Sequence, residues 1–213
     1  MNLVKMNVYR AIKSKSTWVL FALTLIFTIA GVTDETGNMS LLERIELGFV
    51  NGNIEILMML FVIFLSDKFK RYNFKKNIAA YYNNDSCMAG CVAVTGMIFW
   101  TFTFLCIMIL SFIVGGSDFG EAVKIFVTLL PDFAEVMFFV VAIALMHACL
   151  ENSVLTGFIG IVWINYFEGQ IENVNIVGLS SKWVKLDAIL LLFSVVMLVL
   201  TMVKNKYLRY VFE

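Results

Sequence analysis

Residues 54–86 read IEILMMLFVIFLSDKFKRYNFKKNIAAYYNNDS. From Ile54 to Phe64 only Glu55 is polar, and from Lys68 to Lys76 five of nine residues are basic (Lys68, Lys70, Arg71, Lys75 and Lys76). A greasy helix thus gives way, within a few residues, to a cationic segment, in a chain whose formal net charge is zero. A membrane edge accounts for such a change of composition.

The rest of the chain agrees with that reading. Of its 213 residues 61% are hydrophobic and 15% charged, with a single proline, against about 45–50% apolar and ~25% charged residues in a soluble domain. No stretch outside the apolar runs is long enough to build a separate soluble core, so residues 1–213 form one membrane domain. A helical span needs ~20 mostly apolar residues. Runs meeting or approaching that rule fall at 16–32, 47–65, 88–114, 133–150, 154–167 and 188–203. The expected fold is an all-α integral membrane protein with six transmembrane helices. In the fifth run, Gly157, Gly160 and Asn165 shorten the apolar stretch, and residues 168–187 read as an outer re-entrant or interfacial segment.

Six crossings put both termini on one side, and basic residues choose the side. With the termini inside, twelve basic residues are cytoplasmic and four (Arg44, Lys124, Lys182 and Lys185) are outside. Acidic residues run the other way, only Asp67, Asp85, Glu151 and Glu213 being inside. The expected location is a cell membrane of the bacterial plasma-membrane kind, with multiple crossings and cytoplasmic ends. Ahead of the first run, Met1, Val4, Val8, Ala11 and Ile12 recur at helical spacing opposite Lys5, Arg10 and Lys13. Residues 1–15 therefore read as an interfacial amphipathic helix. A signal peptide and a plain basic flank are the alternatives.

Motifs for nucleotide hydrolysis and metalloproteolysis are absent: there is no GxxxxGK[ST], GxGxxG or HExxH. His147 is the only histidine. Near the inner end of the fourth span it reads as a packing or hydrogen-bonding group, with an intramembrane functional role as the alternative. Cys87, Cys91 and Cys149 lie at a similar depth to it, a set that could close a zinc site but that is equally apolar filler. None of the four cysteines lies in an outer loop, and no structural disulfide is expected. Catalytic residues, cofactors and resident metals are not expected in this chain. Glu55, Asp132, Glu135 and Asp187, at the outer span ends, form a candidate acidic mouth for a cationic substrate, or are ordinary solvated helix ends or partners of Arg44, Lys182 and Lys185. Pro131 fits the start of a helix, where its missing N–H costs nothing.

Between the second and third spans, residues 66–86 interleave Phe69, Tyr72 and Phe74 with cations, followed by Ile78. Orientation and lipid binding explain the cations, but not the aromatics. The chain resembles permease subunits of ATP-binding-cassette transporters of the type-2 exporter class. "SDKFKRYNFKKN" is similar to a family pattern S-[DE]…F-x-x-G-T-[IL]-[KR]-N through Ser66, Asp67, Phe69 and Lys75, and departs from it in having Tyr72-Asn73 at the Gly-Thr pair. "LENSVLTGFIGIV" is similar in carrying Asn152-Ser153 in the tight turn between spans four and five. The resemblance implies an N-terminal elbow helix and a coupling helix within 66–86, docked on a separate ATPase subunit through Phe69, Tyr72, Phe74, Lys75, Lys76 and Ile78. It also implies a second permease copy, identical or related, with ATP and Mg held by the ATPase partner and none in this chain. No nucleic acid is implied.

The outer loops are short, and the chain is rich in Phe and Met, methionine being able to adapt to varied apolar surfaces. An amphipathic or hydrophobic peptide is the cargo this favours, exported or expelled from the bilayer. The alternative class is a non-transport assembly or regulatory protein that recruits a soluble partner through its basic loop.

Overall fold

A computed structural model describes residues 3–33, 53–73, 85–115, 119–167 and 182–212. Among the described residues all regular structure is helical, with no strand. In chain order the helices are α1 (Leu3–Lys13), α2 (Lys15–Thr33), α3 (Asn53–Asn73), α4 (Asp85–Gly115), α5 (Phe119–Thr128), α6 (Leu130–Leu150), α7 (Ser153–Val162) and α8 (Lys182–Phe212), with one π turn at Trp163–Phe167 after α7.

The α1 helix turns Val8 and Ala11 inward, Ala11 being buried, and leaves Lys5 and Lys13 exposed. It packs on α4. At Ser14 the chain turns a corner: the Ser14 N–H donates to the Ala11 carbonyl at 3.0 Å, and Thr17 N–H to the Ser14 carbonyl at 3.2 Å. The expected amphipathic helix is therefore present as a helix. Its apolar stripe is partly spent on α4, and Tyr9 and Ile12 are the apolar groups left exposed.

Two helices are long and apolar enough to cross a membrane, over Met88–Leu110 in α4 and over Leu130–Leu150, the whole of α6. Lys15–Phe27, Ser153–Asn165 and Ala188–Val203 are shorter apolar helical stretches. By length and composition the described helices thus supply two of the six expected crossings. For α7 and α3 the reasons are local. The α7 helix has ten residues before its π turn, well short of the ~20 that a span needs. In α3 the apolar run begins only at Ile54 and meets Asp67 thirteen residues later. The apolarity of α4 has one internal support: Thr95, Thr101 and Thr103 each return their hydroxyl to the carbonyl four residues earlier, at 2.7 to 2.9 Å. A threonine satisfied this way needs no outside partner in an apolar helix.

The α6 helix is the centre of the bundle, packed against α3, α4, α7 and α8. Val136, Phe139, Val140, Ile143 and Met146 are all buried along it. Pro131 stands in its first turn, as the sequence requires. Two aromatic seams brace the core, one between α4 and α6 and one between α3 and α4. Trp100 stacks on Phe133 with ring centroids 6.1 Å apart and donates its indole N–H to the Phe133 carbonyl at 3.1 Å. Phe61 of α3 stacks on Phe99 of α4 at 4.1 Å.

Two glycines let helix backbones close up. A Cβ on Gly96 would fall 2.7 Å from Val140 Cγ1, and one on Gly160 would run into Met59 Sδ and come within 3.1 Å of Ile143 Cδ1. Small residues at crossing points have this role where helices meet in an apolar medium.

Two sequence readings change here. Residues 66–73, expected in a connecting segment, continue α3 without a break. No glycine or proline interrupts 54–73, so nothing stops the helix at the end of its apolar run. Residues 182–187, expected in an outer segment, are the first turns of α8. A further helix, α5, has no counterpart among the apolar runs; its Ala122 and Ile125 are buried, as is Leu129 just past its end.

Candidate functional site

The end of α3 carries the residues that the resemblance singles out, and the structure ties that end down. Asp67 follows Ser66, whose hydroxyl returns to the Val62 carbonyl at 2.8 Å. The Asp67 side chain reaches the α6–α7 turn, where Ser153 Oγ donates to Oδ1 and Oδ2, each at 2.8 Å. His147 Nε2 lies 3.2 Å from Asp67 Oδ1 and 3.2 Å from Ser153 Oγ. One carboxylate thus joins three helices.

The turn that presents Ser153 is built by its own residues. Glu151 takes a left-handed conformation, φ 52°, and its N–H donates to the His147 carbonyl, closing α6. Asn152 caps α7 by accepting the Leu155 N–H at 3.0 Å, which is what asparagine does at a helix start. The turn expected at Asn152-Ser153 is therefore as tight as the sequence reading required. His147 is fully buried, whereas the Asp67 side chain is 36% exposed. The node sits at the rim of the bundle, with its imidazole inward.

A serine, a histidine and an aspartate in contact invite comparison with a nucleophilic triad, and the geometry differs from one. In a triad the carboxylate takes one imidazole nitrogen and the serine the other. Here both meet Nε2, and the Ser153 proton is already given to Asp67. Since an ionised carboxylate only accepts, Nε2 must carry hydrogen to bind Asp67 Oδ1. It cannot, in this state, be the base that activates Ser153. The cluster is suited to holding helix ends together.

A second contact fixes the same end of α3 from the other side. Lys68 Nζ donates to Ser14 Oγ at 2.6 Å and stands 4.5 Å from the centre of the Phe64 ring. Consecutive residues of α3 therefore anchor to different parts of the molecule, Asp67 to α6 and α7, and Lys68 to the α1–α2 corner.

Of the residues expected to face a soluble partner, Phe69 and Tyr72 belong to the last turns of α3. Phe74, Lys75, Lys76 and Ile78 lie outside the described residues. Glu55, Asp132 and Glu135 are buried, at 6%, 8% and 5% exposure, and so are not solvated helix ends. The α3 and α6 helices that carry them pack on one another and draw their ends into the core. Asp187 lies in the first turns of α8, its side chain outside the described set. Among the described residues no group of three or more His, Cys, Asp and Glu side chains could hold a metal ion. Cys91 is buried, and Cys106 and Cys149 are partly exposed.

Comparison with family models, with curated proteins and with solved structures yields no match. The functional reading rests on the sequence and on this geometry.

Sequence reasoning identified Asp67 and Ser153 in separate motifs, and His147 as an interhelical hydrogen-bonding group. It did not bring the three together. Their separations of 80 and 86 residues carry no periodic signal. The Ser14–Lys68 contact was missed for the same reason.

Proposed function

We propose that this chain is the membrane-spanning subunit of an ATP-driven exporter of the type-2 class. On this reading six helices cross a bacterial plasma membrane with both ends in the cytoplasm, and α1 is the elbow helix. The chain works as a dimer with an identical or related copy, and the basic segment after Asp67 docks on a separate ATPase. ATP and Mg are held by that ATPase, and no residue of this chain touches the transferred phosphate. The cargo this favours is an amphipathic or hydrophobic peptide.

The observation that carries the reading is the anchoring of the α3 end. A segment that transmits an ATPase movement must be joined rigidly to the helices it moves. The Asp67 carboxylate, shared between His147 and Ser153, supports such a joint, and so does the unbroken helix through Phe69 and Tyr72. A loop serving only as an orientation signal needs neither. The mechanism then follows from population shift: ATP binds one arrangement of the ATPase pair better than the other, and the difference in affinity biases the permease. Aromatic anchors with a charged rim suit the docking surface.

The test is to tag the C-terminus, extract the protein gently from its native membrane and identify what co-purifies by mass spectrometry. A stoichiometric soluble subunit with a GxxxxGK[ST] loop is the expected result, and a second permease in the complex would distinguish heterodimer from homodimer. Recovery of a different soluble partner, with no nucleotide-binding subunit, would favour an assembly or regulatory protein instead.

A further inference from the structure

Where α1 meets α2, the bundle leaves a cavity of about 270 Å³ walled by α1, α2 and α4. Val8, Ala11, Trp18, Thr95, Phe99 and Phe102 line it. Its surface is apolar throughout. The two threonines do not break this, since Thr95 gives its hydroxyl to the Cys91 carbonyl, and the other, Thr17, is itself buried. Trp18 is held in place at the mouth by its indole N–H, which donates to the Ile12 carbonyl at 2.6 Å. The groove is open on one side, with Ile98 and Phe102 half exposed at its edge.

The corner beside this groove is cationic. Lys13 and Lys15 flank Ser14 in sequence and are both exposed, and Lys68 brings a third ammonium to Ser14 Oγ at 2.6 Å. The neighbouring carboxylate, Asp67, is turned the other way, onto Ser153 and His147. Among the described residues no carboxylate lies within ion-pair distance of Lys13, Lys15 or Lys68. An apolar slot beside ammonium groups has the chemistry of a fatty chain that ends in an anion.

We propose that the groove binds one acyl chain of an anionic phospholipid, whose phosphate is held by Lys13, Lys15 and Lys68. The proposal rests only on the membrane part of the functional reading, not on any ATPase. A bound lipid would bridge α1, α2, α4 and the end of α3, so it would hold the elbow against the segment that leads to the docking surface.

The experiment is native mass spectrometry of the full chain in detergent, with dioleoyl phosphatidylglycerol or dioleoyl phosphatidylcholine added at equal concentration. Carbonate extraction of the source membranes precedes it. One phosphatidylglycerol per chain is expected to be retained in preference to phosphatidylcholine. Retention should fall about fivefold for each of Lys13→Gln, Lys15→Gln and Lys68→Gln, the factor expected for one basic residue near an anionic surface. Ile98→Trp, at an exposed position on the groove edge, should lower it with all three lysines intact. As a second measurement independent of these variants, phosphatidylglycerol brominated on its acyl chains should quench a fluorescence component that Trp18→Phe removes. Equal retention of the two lipids, or retention indifferent to both Ile98→Trp and the lysine changes, would overturn the proposal. So would a species of twice 24.1 kDa lost on Ile98→Trp, which would assign the groove to a second copy. If carbonate strips the chain from membranes, the membrane reading itself fails; a chain that resists carbonate yet shows no lipid preference sinks this inference alone.

Discussion

Ser153 donates its hydroxyl to both carboxylate oxygens of Asp67 at 2.8 Å, across 86 residues of sequence. That contact holds the start of the basic segment to the α6–α7 turn, and His147 closes it from the buried side.

The node should behave as one unit. Asp67→Asn and Ser153→Ala are each expected to lower stability by about 1 kcal/mol, the low end for a hydrogen bond to a charged group because Asp67 is partly exposed. Thermal unfolding of the two single variants and the double variant would give a coupling energy of similar size. Strict additivity would mean that the contact does not form in solution.

His147→Ala removes a buried ring and leaves the carboxylate short of a donor. A loss of about 2–4 kcal/mol is expected from the cavity and the lost contact together, and His147→Gln should recover part of it by keeping a donor. If activity is lost in His147→Ala while the melting temperature is unchanged, the histidine has a chemical role and the structural account of it is wrong.

At Gly160 any side chain meets Met59 and Ile143. Gly160→Ala should destabilise by about 1–3 kcal/mol through overpacking, and Gly160→Leu by more. Met59→Ala in the Gly160→Ala background opens space at the contact. A partial return of stability there would identify the clash as the cause.

Coupling itself is tested at the end of α3. Replacing Phe69, Tyr72 and Phe74 by alanine should abolish ATPase association with membrane insertion intact, whereas Lys75→Gln with Lys76→Gln should weaken it less, since rim charges act mainly on association rate. Pull-down with quantified membrane fractions separates the two effects. Unchanged association in the triple variant would remove the coupling assignment.

Local pattern was enough for much of this molecule. The apolar runs located α2, α4 and α6, Pro131 placed a helix start, and Asn152-Ser153 marked a two-helix turn, because each depends on neighbours within a few residues. The spacing of Val8 and Ala11 likewise gave α1 a buried side. Such readings draw on periodicity, capping and steric rules that act along the chain.

What the sequence by itself determined, then, is an all-helical, strongly apolar chain with a cationic, aromatic segment at one helix end. Tertiary structure decided the rest. Glu55, Asp132 and Glu135 stand near helix ends by position, and their burial follows from the packing of α3 and α6 on each other. Gly160 reads as a residue that shortens the fifth apolar run and proves to be a contact point. Asp67, His147 and Ser153 become one polar node, and Lys68 joins Ser14, only when helices distant in sequence are brought side by side. The physical reason is range: hydrophobic periodicity is encoded within one helix, whereas hydrogen bonds between helices depend on rotation and register that no single helix specifies.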